Sequence, residues 1–280
     1  MLPWLRALAI LAIGAWFLSY FAGKAAFYPS KYPEGWWDQQ AVLGAQDVFI
    51  DTEDGVRLHS WWIERNKSEP DGTDNGERDA ADLVTLFLHG NAGNVTHRAQ
   101  HAQQILAAGS SVLLLDYRGY GKSEGSPSEE GLYTDALAAY EYLRGQGVTP
   151  ERLIIHGESL GTAAAVDLAS KKPAAGLVLE SGFSSGRAVA QSVLPVLGPL
   201  LFGGYNSVSK ISQVKMPLLQ FHGDRDRIVD ISLGRALFEA AGQPKQFVTI
   251  PGGDHNDLIP SAGDLYRKSL QAFYQRLELR

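Results

Sequence analysis

The stretch that decides the fold is Leu153-Ile154-Ile155-His156-Gly157-Glu158-Ser159-Leu160-Gly161. It begins as an apolar run of strand length, continues as a match to the pattern G-x-S-x-G, and is followed by a helical pattern at residues 160–171. Glycines on either side of Ser159 allow neighbouring backbone to approach closely. The stretch therefore predicts a strand that turns sharply into a helix, with Ser159 exposed at the turn as a candidate nucleophile.

Strand and helix patterns alternate around this turn. Short apolar runs at 84–88, 112–116, 153–156, 177–180, 218–222 and 246–250 alternate with helical patterns at 95–108, 129–144, 160–171, 233–241 and 261–277. Upstream, two further strands at 47–51 and 56–63 are joined through Asp54-Gly55, a hairpin signal. This order predicts an α/β domain at 27–280 with a mostly parallel sheet covered by helices on both faces. Functional residues are expected at the carboxyl ends of its strands.

Two segments interrupt the alternation. Residues 66–82 are dense in Asp, Glu, Gly and Asn, which predicts an exposed loop outside the core. The interval at about 183–214 is too long for a simple crossover and contains the apolar run 193–202, so we expect a short helical cap. Its apolar side chains either shield a substrate pocket or pack onto the sheet, and packing is favoured residue by residue.

The N-terminal residues 2–23 are apolar apart from one arginine and a few small polar residues, as in a membrane span. Lys24 interrupts the small residues where a signal peptide would be cleaved, so a retained single-pass anchor is favoured. We therefore expect residues 1–26 to form a membrane anchor and linker. The positive charges on its two sides nearly balance and leave its orientation open. The aromatic segment 27–37 is expected to lie on the membrane surface or to pack on the domain.

Composition argues against several other classes of function. A net charge of −6 without a Lys and Arg run makes nucleic acid an unlikely partner, and the absence of cysteine removes disulfides and thiolate chemistry. His97 and His101 have H-x-x-x-H spacing, but Arg98 stands where a zinc protease needs Glu. We interpret this pair as an exposed helix face and expect no metal. The glycine-rich run 119–123 lacks the spacing of a phosphate-binding loop and is interpreted as structural.

A serine nucleophile needs a base to accept its proton. Only His222 and His255 follow Ser159, and in hydrolases with this turn the base comes last along the chain. His255 is the expected base, because it lies in the loop after the last strand, whereas His222 ends a buried strand. An acid is also needed to orient that imidazole. The sequence leaves its candidates open: Asp224, Asp226, Asp230 and, at the end of an earlier strand, Glu180.

Acyl transfer also requires NH groups aimed at the developing oxyanion. One is expected to be the backbone NH of Leu160, directly after the nucleophile. The other is expected to be the backbone NH of Asn91, in the loop at residues 89–93 that follows the strand at 84–88.

Six motifs in order resemble the α/β-hydrolase superfamily, and within it a membrane-anchored group related to the α/β-hydrolase-domain depalmitoylases and the prolyl-oligopeptidase-like hydrolases. The likeness runs from about Phe27 to the C-terminus. The motifs are His89-Gly90-Asn91-Ala92-Gly93-Asn94, residues 116–125 (DYRGYGKSEG), Gly157-Glu158-Ser159-Leu160-Gly161, Glu180-Ser181-Gly182-Phe183, residues 221–226 (FHGDRD) and Gly253-Asp254-His255-Asn256-Asp257.

This resemblance implies the α/β-hydrolase fold and assigns the acid to Asp226, three residues after the glycine of the His-Gly turn. It implies a serine hydrolase that cleaves an ester or thioester of a small-molecule or lipid-like acyl substrate through Ser159, without a cofactor. The chain lacks the cysteine-rich N-terminus of the depalmitoylases, so thioester specificity is not carried over.

Two alternatives stay open. A serine peptidase or amidase would use the same fold and the same residues. A membrane-tethered scaffold without turnover is the other, and an intact set of Ser159, Asp226 and His255 counts against it.

Overall fold

The computed structural model describes residues 27–65, 83–198 and 203–278. The predicted membrane anchor at 1–26 and the predicted loop at 66–82 lie outside these ranges. Four residues of the predicted cap, 199–202, also lie outside them. No helix within the described ranges is both long enough and apolar enough to cross a membrane.

The centre of the domain is an eight-stranded sheet. Its strands are β1 (Gln46–Asp51), β2 (Arg57–Ile63), β3 (Leu83–Leu88), β4 (Ser110–Asp116), β5 (Leu153–Glu158), β6 (Gly176–Glu180), β7 (Leu218–Gly223) and β8 (Lys245–Ile250). Their spatial order is β1-β2-β4-β3-β5-β6-β7-β8. β2 runs antiparallel to both of its neighbours, and every other neighbouring pair is parallel, as the sequence predicted.

Helices cover both faces of this sheet. Among the described residues the helices are α1 (Gln39–Leu43), α2 (Ala99–Ala108), α3 (Glu129–Gly145), α4 (Gly161–Lys171), α5 (Gly186–Val193), α6 (Val208–Ile211), α7 (Ile231–Ala240), α8 (Leu258–Ala262) and α9 (Asp264–Glu278). One hydrophobic cluster contains residues of α3, α4, α6 and α7, whereas the cluster on the opposite face contains residues of α2, α8 and α9.

The central strands are apolar on both faces because helices lie on both sides of them. In β3, Leu86 and Leu88 belong to one hydrophobic cluster, while Phe87 between them belongs to the other. This alternation explains why β3 is apolar at every position except Thr85, rather than at every second one.

Two predicted helices differ from the observed ones. The pattern at 95–108 begins as a 3-10 turn, Val95–Arg98, which Asn94 caps through its side chain, and only then continues as α2. The pattern at 261–277 is divided into α8 and α9, because the chain turns at Gly263, where the backbone has a φ of 51°.

The interval of the predicted cap contains α5 and α6. Packing onto the sheet, favoured by the sequence, is wrong for four of its apolar side chains. Their exposed fractions run from 47% to 77%, and they are Val193, Leu194, Val196 and Leu197. Val189, one turn earlier on α5, is half-buried and lines a cavity beside Ser159.

The aromatic segment at 27–37 does partly pack on the domain. Residues Tyr28–Pro29 pair in parallel with Ala92–Gly93, and Phe27 is buried. The ring of Trp37 packs edge-on against Trp61, with 5.8 Å between ring centroids. Other aromatic side chains of this segment are more than half exposed, namely Tyr28, Tyr32 and Trp36.

The turn from β5 into α4 is closely packed. Ser159 has a φ of 50°, a left-handed conformation that side chains other than glycine rarely adopt. A Cβ at Gly161 would overlap the carbonyl oxygen of Leu88 in β3, and one at Gly157 would lie 2.6 Å from the carbonyl oxygen of Gly161. Both glycines are therefore required by close backbone contacts.

We predict that Gly161→Ala lowers the free energy of unfolding by at least about 1–3 kcal/mol, because the added methyl group overpacks a contact with rigid backbone. The measurement is urea unfolding followed by circular dichroism. Gly145→Ala at the end of α3 is the matched control, since a Cβ there meets nothing within 4 Å among the described residues. Equal losses in the two variants would contradict this explanation of the turn.

Candidate active site

Ser159 lies at the carboxyl end of β5, between that strand and α4. Its backbone NH donates to the carbonyl oxygen of Glu180 over 2.8 Å. Its own carbonyl oxygen accepts from the Thr162 NH at 2.9 Å and from the Thr162 hydroxyl at 2.6 Å. These bonds hold the strained turn and fix the position from which the Ser159 side chain projects.

His255 reaches Ser159 from the loop that follows β8. Its Nε2 lies 2.8 Å from Ser159 Oγ, and its Nδ1 lies 2.8 Å from Asp226 Oδ2. The imidazole side chain is 8% exposed and the Asp226 carboxylate is fully buried. The structure thus brings together all three side chains singled out in the sequence, as one hydrogen-bonded chain from hydroxyl to imidazole to carboxylate.

Asp226 is held by the turn after β7. Its Oδ1 accepts from the backbone NH groups of Ile228 at 2.9 Å and Val229 at 2.7 Å. Burial alone would raise the pKa of Asp226, but the bonds from His255 and from these two NH groups outweigh it and lower the pKa. The carboxylate is therefore ionised at neutral pH and can stabilise a protonated imidazole.

The other candidates in this region have different partners. Asp224 Oδ1 accepts from the Gly252 NH at 2.7 Å, so this carboxylate ties together the loops after β7 and β8. Asp230 caps α7 by accepting from the Ser232 NH at 2.9 Å. His222 is buried, and its Nε2 lies 2.8 Å from the carbonyl oxygen of Val229.

Glu180 belongs to a separate buried cluster. Its Oε1 lies 2.6 Å from His156 Nε2 and accepts from the Tyr266 hydroxyl, and its Oε2 lies 3.3 Å from His101 Nε2. Burial alone would raise the pKa of Glu180, but His101 and His156 outweigh it and hold the pKa well below its usual value.

The prediction of an exposed helix face for His97 and His101 is therefore wrong. His101 faces inward onto Glu180 and the ring of Phe87, and His97 is half-buried beside Asn94, whose backbone NH donates to it. Within the ranges that the structure describes, no three side chains of the metal-binding types come together as a metal site.

The loop that contains Asn91 is held in place by hydrogen bonds to its backbone carbonyl groups. The Asn91 carbonyl oxygen accepts from the Tyr28 NH at 2.9 Å and from the Tyr120 hydroxyl at 2.8 Å. Leu160 lies directly before the first residue of α4, so its NH is at the positive end of that helix. Asn91 and Leu160 both line a cavity that includes Ser159.

An ion pair that sequence reasoning missed fastens the same loop. Glu158 Oε2 accepts from Arg98 Nε at 2.5 Å and from the Gly90 NH at 3.2 Å, while Arg98 Nη2 donates to the Ala92 carbonyl oxygen at 3.0 Å. A charged residue at the end of a buried strand, directly before Ser159, signals that a partner is needed. The partner stands sixty positions away in the chain, so the pattern alone does not identify it.

Two cavities of different character meet at Ser159 and His255. The polar cavity has a volume of about 450 Å³, and the apolar cavity has a volume of about 320 Å³. The cavity that we call polar is lined by Ser30, His97, Gln100, His101, Glu180 and Ser181, together with the apolar side chains of Leu258, Ile259 and Pro260. The apolar cavity is lined by Leu160, Phe183, Val189, Tyr205, Ile228 and Val229. Arg98 and Glu158 border both.

Comparison with known proteins agrees with this architecture. The family model described as serine aminopeptidase, S33, matches residues 79–205. The solved structure of an esterase, Pf2001, from Pyrococcus furiosus superposes with a TM-score of 0.68 over 90% of this chain and 98% of that one, at 20% identity. At that level of identity the likeness concerns the fold.

Sequence relatives extend over most of the chain. The uncharacterized protein Rv2307c of Mycobacterium tuberculosis is 40% identical over 91% of this chain and 88% of its own length. The α/β hydrolase domain-containing protein 17B of Xenopus laevis is 36% identical over 70% of this chain and 66% of its own length. Together with the sheet order and the strand-turn-helix at Ser159, these likenesses show that the chain belongs to the α/β-hydrolase superfamily.

Proposed function

We propose that the chain is a serine hydrolase that cleaves an ester or thioester acyl bond through an acyl-enzyme on Ser159. The observation that carries this proposal is the hydrogen-bonded chain from Ser159 Oγ through His255 to Asp226, with 2.8 Å at each link. A serine hydroxyl becomes an effective nucleophile when a base of this kind accepts its proton.

In the first stage, Ser159 Oγ attacks the carbonyl carbon of the substrate while His255 Nε2 takes the hydroxyl proton. The protonated imidazole is stabilised by the ionised Asp226 carboxylate and then gives the proton to the leaving alcohol or thiol. In the second stage, water attacks the acyl-enzyme and loses a proton to His255. The imidazole returns that proton to Ser159 Oγ as the carboxylic acid leaves.

The oxyanion formed in both stages is stabilised by the backbone NH groups of Leu160 and Asn91. The Leu160 NH also lies at the positive end of the α4 dipole, which further stabilises a negative charge on the oxyanion. Arg98 offsets the negative charge of Glu158, which would otherwise oppose a second negative charge beside Ser159.

A serine aminopeptidase is a second candidate, because that is the description of the family model that matches residues 79–205. The same residues would attack an amide. The apolar cavity beside Ser159 favours a substrate with an apolar acyl chain. A comparison of the turnover rates of an ester and an amide with the same acyl chain distinguishes the two functions. The membrane anchor at 1–26 stays a prediction from the sequence.

We predict that Ser159→Ala abolishes labelling by a fluorophosphonate probe and lowers kcat/KM for a p-nitrophenyl ester by about 10⁴-fold or more, because the attacking oxygen is lost. In-gel fluorescence and a colorimetric assay measure the two effects. Ser209→Ala is the control for labelling, since Ser209 is exposed and its hydroxyl donates to the Asn206 carbonyl oxygen rather than facing an imidazole. Equal labelling of wild type and Ser159→Ala would exclude this nucleophile.

We predict that Asp226→Ala lowers kcat by about 10³–10⁴-fold, because His255 loses both its orientation and the charge that stabilises its cation. Asp224→Ala removes a carboxylate of the same loop that accepts only a backbone NH, so we expect a loss below about tenfold. Circular dichroism of both variants verifies that they fold. A larger loss at Asp224 than at Asp226 in folded protein would overturn the assignment of the acid.

We predict that Arg98→Met lowers kcat by about 10²-fold. The reason is that two unit charges about 5 Å apart interact by about 3 kcal/mol at an effective dielectric constant of about 20, and Glu158 would be left uncompensated beside the oxyanion. The double variant Arg98→Met with Glu158→Gln removes that charge and should regain about tenfold. Steady-state kinetics measures both, and no recovery in the folded double variant would contradict the electrostatic role.

A further inference from the structure

Two residues that line the polar cavity each carry a buried polar atom without a hydrogen-bond partner among the described residues. Ser181 is 3% exposed, and its hydroxyl has no hydrogen-bond partner among the described residues. The same holds for Nδ1 of His101, whose other ring nitrogen faces Glu180. Buried polar groups without partners are unfavourable and are rare in folded proteins. A wall of this kind favours a ligand that supplies the missing hydrogen bonds.

Ser181 can adapt to such a ligand. It follows β6 directly and has a φ of 48°, and its backbone NH is fixed by a 3.0 Å bond to the carbonyl oxygen of Phe221. The backbone is therefore held, whereas a hydroxyl without a partner can change its rotamer toward a bound group. Gln100 on α2 adds an exposed carboxamide to the same cavity, and that group both donates and accepts.

The charged groups around this cavity already have partners. Arg98 is paired with Glu158 at 2.5 Å, and His101 is paired with Glu180 at 3.3 Å. Burial alone would lower the pKa of His101, but the neighbouring Glu180 carboxylate raises it overall, which favours the protonated imidazole in this pair. A charged ligand group would have to separate one of the two pairs, whereas a neutral polar group leaves both intact.

The apolar cavity on the other side of Ser159 offers no comparable set of polar groups. Phe183, Val189 and Val229 contribute its apolar wall, and α5 extends that wall outward, because Val193 lies one helical turn beyond Val189 on the same face. An acyl chain gains from burial against such a surface. The two parts of an ester would therefore be separated, with the acyl chain on the apolar side and the alcohol on the polar side.

Building on the proposed acyl-enzyme mechanism, we infer that the polar cavity binds the alcohol portion of the substrate, and that this alcohol is neutral and carries a further hydroxyl group. Ser181 and Gln100 are the residues that recognise this hydroxyl. α8 contributes Leu258 and Ile259 to the wall of the same cavity, and these side chains contact the carbon skeleton of the alcohol.

The test uses the full chain and two esters of equal size, 2-hydroxyethyl octanoate and propyl octanoate, which differ by a hydroxyl in place of a methyl group. A site that hydrogen-bonds a hydroxyl discriminates against the analogue without it. We expect kcat/KM for the hydroxyethyl ester to exceed that for the propyl ester by about tenfold. Octanoic acid released from each ester is measured by chromatography.

The ratio of the two kcat/KM values is then measured in variants. Ser181→Ala and Gln100→Leu, combined, should bring the ratio close to one. Gln103→Leu is the matched control, since it makes the same change on the same helix at an exposed position that does not line the polar cavity, and its ratio should stay at the wild-type value.

Three outcomes would overturn the inference. They are a wild-type ratio near one, a ratio that survives the combined substitution, and faster cleavage of the cationic 2-(trimethylammonio)ethyl ester than of the hydroxyethyl ester. All three leave the proposed hydrolase intact. If neither ester is cleaved and fluorophosphonate does not label Ser159, the proposed function itself fails, and the inference fails with it.

Discussion

The close contact between the start of α4 and the end of β3 is the constraint on which the rest of the site depends. Only a glycine at position 161 leaves room for the carbonyl oxygen of Leu88, and this approach forces the chain to turn within a few residues of β5. Ser159 accordingly takes a left-handed conformation and stands at the carboxyl edge of the sheet. The loops after β7 and β8 begin at the same edge, because these two strands run parallel to β5. A hydroxyl, an imidazole and a carboxylate from three distant parts of the chain thereby come within hydrogen-bonding distance.

Much of this fold could be predicted because its central strands are buried on both faces. Short runs that are apolar at most positions, such as β3 and β6, are easily distinguished from the amphipathic helices between them. Errors occurred where the outcome depends on distant neighbours. His101 faces inward because it pairs with Glu180, which lies far along the chain. Val193 is exposed although it is apolar, because burial of a helix face depends on which other elements cover it. Local periodicity identifies neither the partner of His101 nor the elements that cover a helix.

The site divides in the same way. Ser159 and His255 follow from a local motif and from chain order, whereas three aspartates in one loop are equivalent by pattern. What distinguishes Asp226 is three-dimensional: its carboxylate accepts two backbone NH groups and still faces His255, while Asp224 is engaged by the neighbouring loop. The ion pair between Arg98 and Glu158 could not be predicted from the sequence for a related reason, because two charges sixty positions apart give no periodic signal. Charges near Ser159 are thus paired before any substrate arrives, and in the proposed mechanism this pairing preorganises the site for a developing oxyanion.

The proposed mechanism places an acyl group on Ser159 during turnover, and peptide mapping detects such a group. The full chain is mixed with excess p-nitrophenyl octanoate, quenched in acid during steady state, digested and examined by tandem mass spectrometry. We expect an octanoyl group on the peptide that contains Ser159, and none in Ser159→Ala. Rapid release of p-nitrophenol with no acylated peptide, or with the acyl group on another residue, would exclude an acyl-enzyme on Ser159.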